Sequence, residues 1–120
     1  MNKALMAAGA SRLRAIKLAH TVIWAFFATC ILAMPVAAWH DRYDVAAVLA
    51  VVVLAEVAVL LANGMTCPLT PLAAKHTSDR APNFDIYLPR WLAARNKAIF
   101  GTLYAAGLAF VLVRWIGASA

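Results

Sequence analysis

The sequence predicts an all-α integral membrane bundle of three transmembrane helices, with a long cytoplasmic loop between helices 2 and 3. Three observations carry that prediction. Of 120 residues, 65% are hydrophobic and only 13% are charged, about half the charged share of a soluble domain. Three apolar runs approach or exceed the roughly 20 residues needed to cross a bilayer. Basic residues collect at the ends of those runs. Backbone groups in hydrocarbon find partners only within their own segment, so each run must be helical. The whole chain, 1–120, reads as one transmembrane domain.

The first span covers about 18–39, from Leu18 to Trp39, and holds no charge. A cleaved signal peptide would share its basic lead (Lys3, Arg12, Arg14, Lys17) and the small residues Val36-Ala37-Ala38. Its apolar run exceeds the about 7–15 residues of a signal core, which favours a retained span. The second span covers about 45–62 and holds one charge, Glu56. The third covers about 98–115 and closes on Arg114 and Trp115.

The connection at 63–97 opens with Asn63-Gly64, a helix-stop pair. Pro68 and Pro71 then disfavour continuous helix, and Leu72 to His76 has room for one helical turn. Residues 77–83 are polar and turn-rich. Beyond them Phe84, Tyr87, Leu88, Trp91 and Leu92 recur at helical spacing, with Asp85, Arg90 and Arg95 on other faces. Pro89 suits the first helical position, where its missing N–H costs nothing. The third helix is therefore expected to begin near Pro89, ahead of its spanning part.

Nine of the eleven Lys and Arg precede the first span or lie between the second and third; only Arg42 and Arg114 fall on the other side. By the positive-inside rule the N-terminus and the long loop are cytoplasmic and the C-terminus periplasmic. Trp39, Tyr43 and Trp115 mark the outer interface, Tyr87 and Trp91 the inner. The same distribution opposes a nucleic-acid partner, because the cations form no stripe with interleaved aromatics. The lipid bilayer is the expected environment.

Small residues recur every four positions: Ala25, Thr29 and Ala33 on the first helix, Gly101, Ala105 and Ala109 on the third. Ala55, Ala58 and Ala62 line the second. Such faces let helix backbones approach closely where water cannot drive association. Trp91, Gly101 and Ala105 are the interaction residues expected on the last helix.

Glu56 is the outstanding polar residue. A carboxyl inside a span costs a few kcal/mol unless protonated or paired, which makes it a functional candidate. The plain alternative is a protonated Glu bonded to a hydroxyl such as Thr29 or Tyr104. His20 lies near the inner end of the first helix, where Glu56 or lipid headgroups would satisfy it. Glu56 and His20 are thus the candidate cofactor-binding residues, for a quinone, pigment or haem. His20, His40 and His76 do not supply two axial ligands at matched depth within the spans. Cys30 and Cys67 lie at different depths in a reducing setting, which argues against a disulfide. No cysteine pair, glycine-rich phosphate loop or nucleophile–base order assembles a recognisable catalytic or metal site.

A helix end followed by Cys67-Pro68-Leu69-Thr70 resembles a family of small, functionally uncharacterised bacterial membrane proteins. The resemblance runs from about His20 to Leu72. It includes a His in an early helix (His20) and a polar or acidic residue in the helix before the motif (Glu56). It implies a bacterial inner membrane and singles out Cys67, Pro68, Leu69 and Thr70 as an interaction segment. The chain departs from the family at Ala73-Ala74, where an acidic residue is expected near position 73. Asn83-Phe84-Asp85-Ile86-Tyr87-Leu88-Pro89 looks like a subgroup signature.

The expected role is a non-catalytic accessory or structural subunit that packs against a larger membrane complex, respiratory or photosynthetic. The alternative is a small membrane protein that binds a quinone, lipid or haem through Glu56 and the cytoplasmic-side loop.

Overall fold

The computed structural model describes the backbone of residues 3–119 and the side chains of residues 7–118. Four helices follow in order, α1 (Lys3–Trp39), α2 (Tyr43–Ala62), α3 (Leu69–Ala74) and α4 (Arg90–Ser119), and the described residues contain no strand. Three of them, α1, α2 and α4, are long and apolar enough to cross a membrane.

Helix α1 starts at Lys3, well before the apolar run at Leu18. Charge density bounds a span but does not stop a helix. The basic lead carries Ala4, Ala7, Ala8, Ala10 and Ala15, strong helix formers that propagate the turn outward. At 37 residues, α1 is about 55 Å long at 1.5 Å per residue, well beyond the apolar thickness of a bilayer. Pro35 lies inside its last turns. The helix stops with Asp41 at φ 60°. There the Arg42 N–H reaches Ala37 O at 2.8 Å and the Asp41 N–H reaches Ala38 O at 3.0 Å. This is a Schellman closure with Asp in the place usually held by Gly.

Helix α2 has 20 residues, about 30 Å, matching the hydrocarbon core. It ends at Ala62, where Gly64 adopts φ 65° and the Met65 N–H returns to Leu60 O at 2.6 Å. Helix α4 opens directly after Pro89, whose carbonyl accepts the Ala93 N–H at 2.9 Å. Pro89 therefore caps the helix rather than filling its first turn. The early start of α4 shortens the connection from α2 to residues 63–89, and α3 occupies part of it.

The chain divides into two compact units, to both of which α1, α2 and α4 contribute. The first contains Met1–Trp24 and Leu60–Arg95, the second Ala25–Val59 and Asn96–Ala120. In the second unit Cys30, Ile31 and Val53 form one core cluster, and Met34, Ala38 and Ala46 another. A Cβ on Gly107 would stand 2.6 Å from Met34 Cε, so this glycine admits the methionine. The Tyr104 hydroxyl donates to Ala50 O at 2.8 Å. Arg114 donates from Nε to Ala38 O at 3.0 Å and from Nη2 to Asp41 Oδ1 at 3.2 Å, with its guanidinium 5.0 Å from the Trp39 ring. A cation thus sits on the last carbonyls of α1, where the helix dipole is negative.

The close packing inside the second unit does not use the predicted small faces. Ala25, Thr29, Ala55, Ala58, Gly101, Ala105 and Ala109 are exposed, and Ala33 is half-buried. A Cβ on Gly101 would meet nothing within 4 Å. Four-residue spacing identifies a smooth face but not what it packs against, and here Met34 fits the notch at Gly107 instead.

Candidate functional site

In the first unit, Asp85 is the one buried charged side chain among the described residues, 6% exposed. It sits in the turn-rich segment between α3 and α4, which Asn83 shapes by donating from Nδ2 to Leu88 O at 2.9 Å. Burying a carboxylate is costly unless hydrogen bonds compensate it. Two groups do so. The Thr70 hydroxyl, on α3, donates to Asp85 Oδ2. On α1, His20 Nδ1 lies 3.0 Å from the Asp85 backbone carbonyl and 3.6 Å from its Oδ2.

A carbonyl oxygen can only accept, so the Asp85 backbone contact assigns the ring proton to Nδ1. In the neutral ring the lone pair then resides on Nε2. Asp85 thereby fixes both the orientation and the tautomer of His20. The result is a connected series, Thr70–Asp85–His20, drawn from α3, the segment before α4 and α1.

Neighbouring contacts hold the Asp85 segment on α1. The Tyr87 N–H donates to Thr21 Oγ1 at 2.9 Å, while the Thr21 hydroxyl donates to Lys17 O at 2.7 Å. Lys17 Nζ lies 4.5 Å from the centre of the Tyr87 ring, a cation–π distance. Arg80 reaches Ala74 O at 3.2 Å, at the end of α3, and Thr77 O at 2.7 Å.

The structure thus brings together two residues that the sequence singled out, His20 and Thr70, around one that it did not; Cys67 is half-buried. Pro68 is exposed and Leu69 half-buried. Trp91 is 60% exposed. Gly101 and Ala105 belong to the second unit, as does Glu56, which is half-buried and engaged. The two hydroxyls expected near Glu56 donate to backbone: Thr29 to Ala25 O at 2.7 Å and Tyr104 to Ala50 O at 2.8 Å. A hydroxyl in an apolar helix satisfies itself most readily on the preceding turn, as Thr29 does.

Asp85, Thr21 and Lys17 escaped the sequence reading as site residues. The available signal was the run Asn83 to Pro89, in which an acid stands between apolar neighbours. Position 73, where the resemblance leads one to expect a carboxylate, is a fully buried alanine, and the buried carboxylate is that of Asp85.

Among the described residues no three His, Cys, Asp or Glu side chains converge as metal ligands would. Cys30 and Cys67 are both free thiols. Comparison with protein-family models, with curated proteins and with solved structures finds no match. Fold and site together define an all-helical chain with three helices fit to cross a membrane and a buried His–Asp network outside its second unit.

Proposed function

We propose that this chain is a non-catalytic accessory subunit that packs through its spanning helices against a larger membrane complex, respiratory or photosynthetic, in a bacterial inner membrane. The observation that carries this reading is the open small-residue face of α4. Gly101, Ala105 and Ala109 are exposed, and nothing lies within 4 Å of a Cβ placed on Gly101. Lipid tails cover a leucine face as well as a glycine face. Small residues confer an advantage only where another backbone comes close. A helix of a second subunit is the occupant that fits.

We further propose an N-terminus in the cytoplasm and a C-terminus in the periplasm. In support, the first unit carries eight Lys and Arg against two Asp, while the second carries three against three acids. The whole net charge of +6 thus belongs to the first unit, and positive charge is retained on the cytoplasmic side.

Extraction in mild detergent followed by native electrophoresis tests the subunit role. Migration in a large assembly supports it; migration of all the protein as a free small species contradicts it.

A further inference from the structure

The first unit holds eight Lys and Arg against two acids, and the fold withdraws both acids from them. Asp85 is buried at 6% exposure and takes the Thr70 hydroxyl on its Oδ2. Asp79 stays at the surface but turns Oδ1 onto the Ala81 N–H at 2.9 Å. Arg80 donates to the carbonyls of Ala74, Thr77 and Asp79. Arg12, Arg14, Lys75, Arg90 and Arg95 are exposed and Lys17 is half-buried. None of these six is in an ion pair with a carboxylate among the described residues. Concentrated like charges repel one another, so an anion from outside the chain would stabilise this unit.

The best-defined part of this basic surface lies beside Tyr87. The Tyr87 N–H donates to Thr21 Oγ1 at 2.9 Å, and Lys17 Nζ lies 4.5 Å from the centre of the ring. Lys17 stands where the apolar run of α1 begins, with Leu18 59% exposed directly after it. Arg14 is three residues earlier on α1 and therefore on the same face as Lys17. Arg90 and Trp91 open α4, three and four residues beyond Tyr87. Tyr87 and Trp91 are 48% and 60% exposed. Amphipathic rings of this kind settle at the headgroup level of a bilayer. The anion met at that level is a phospholipid phosphate. A soluble acidic partner matches the cations but not the exposed apolar run that starts at Leu18.

We propose that Arg14, Lys17 and Arg90, with Tyr87 and Trp91 beside them, form a binding surface for the headgroup of an anionic phospholipid. Lys17 suits the margin, because its stem covers apolar surface while its ammonium stays at the level of the phosphate. A zwitterionic headgroup offers the same phosphate but neutralises it with its own cation. The surface therefore selects a lipid with net negative charge.

The test uses the full chain with Trp24, Trp39 and Trp115 replaced by Phe, so that only Trp91 emits. It is reconstituted in phosphatidylcholine vesicles with a minor fraction of phosphatidylglycerol, and one lipid at a time carries bromine near its carbonyl to quench the fluorescence. At equal fractions of brominated lipid, phosphatidylglycerol is expected to quench Trp91 more strongly than phosphatidylcholine. Lys17→Gln and Arg90→Gln should each lower that preference by about fivefold, the effect of one basic residue at an anionic surface. Salt at about 1 M, where the screening length falls to about 3 Å, should weaken it further. Arg42→Gln removes a second-unit cation already paired with Asp44 and should leave the preference unchanged. If the tryptophan replacements reduce helicity, native mass spectrometry of the otherwise unsubstituted chain, released from micelles holding equal amounts of both lipids, reads the same ratio. Equal quenching by the two lipids overturns the proposal. A preference that survives Arg14→Gln, Lys17→Gln and Arg90→Gln together, or that falls as far in Arg42→Gln as in Lys17→Gln, overturns it equally.

Discussion

The terminal methyl of Met34 lies 2.6 Å from where a Cβ on Gly107 would stand, so the absence of a side chain at 107 is what admits the methionine. Met34 is fully buried. Gly101, six residues earlier on the same helix, has open space in that position.

These two glycines should respond differently to substitution. Gly107→Ala is expected to be close to neutral, because a flexible thioether end can shift and alanine gains about 1 kcal/mol of helix propensity. Gly107→Val overfills the notch and should cost about 1–3 kcal/mol. Gly101→Ala should not destabilise the free protein. Thermal unfolding in detergent, followed by circular dichroism, measures all three.

Thr21 and Tyr87 make a second measurable pair. The Tyr87 N–H donates to Thr21 Oγ1 at 2.9 Å across 66 residues of sequence. Thr21→Val removes the acceptor while keeping the shape of the side chain. Hydrogen exchange at the Tyr87 amide is expected to accelerate by about fivefold, the equivalent of a net hydrogen bond of about 1 kcal/mol. Exchange at wild-type speed would show that the Asp85 segment is held without this bond.

Arg114 should be the most sensitive exposed-end residue of the second unit. It engages Ala38 O and Asp41 Oδ1 and stacks near Trp39. Arg114→Ala should cost about 1–3 kcal/mol, the range for a charged hydrogen bond. Arg114→Lys should recover only part of that loss, because an ammonium cannot reproduce the planar fork. Chemical denaturation in mixed micelles gives the comparison.

Much of the architecture was legible in the sequence because lipid imposes a simple rule on it: apolar length, with backbone bonds closed inside each segment. That rule located three helices long and apolar enough to cross a membrane, with breaks after Trp39 and at Asn63-Gly64. It could not locate the start of α1, since hydrocarbon no longer constrains residues before Leu18 and alanine content takes over. It also could not assign the small faces. Ala25-Thr29 and Gly101-Ala105-Ala109 have the right spacing for contact, but Met34 with Gly107 has a complementary shape, which spacing does not encode.

The polar site was legible in part. His20 stood out by type and Thr70 by motif. Asp85 did not, because a carboxylate two residues after a turn-rich stretch normally faces water. Its burial follows from tertiary contacts with residues 15 and 65 positions earlier in the chain. No local pattern reports such separations.

Orientation is open to a direct check. With Cys30 and Cys67 replaced by serine, single cysteines at Asp41 and at Arg12 are treated with a membrane-impermeant thiol reagent on intact spheroplasts. Labelling of the Asp41→Cys protein alone is the expected outcome. Labelling of Arg12→Cys alone would reverse the topology.

The subunit role stands or falls on the α4 face. Native electrophoresis after mild extraction should place the wild type in a large assembly. Gly101→Leu combined with Ala105→Leu should shift it to the free small species with its helicity unchanged. A doubly substituted protein that remains in the large assembly, or a wild type that never enters one, would contradict the account.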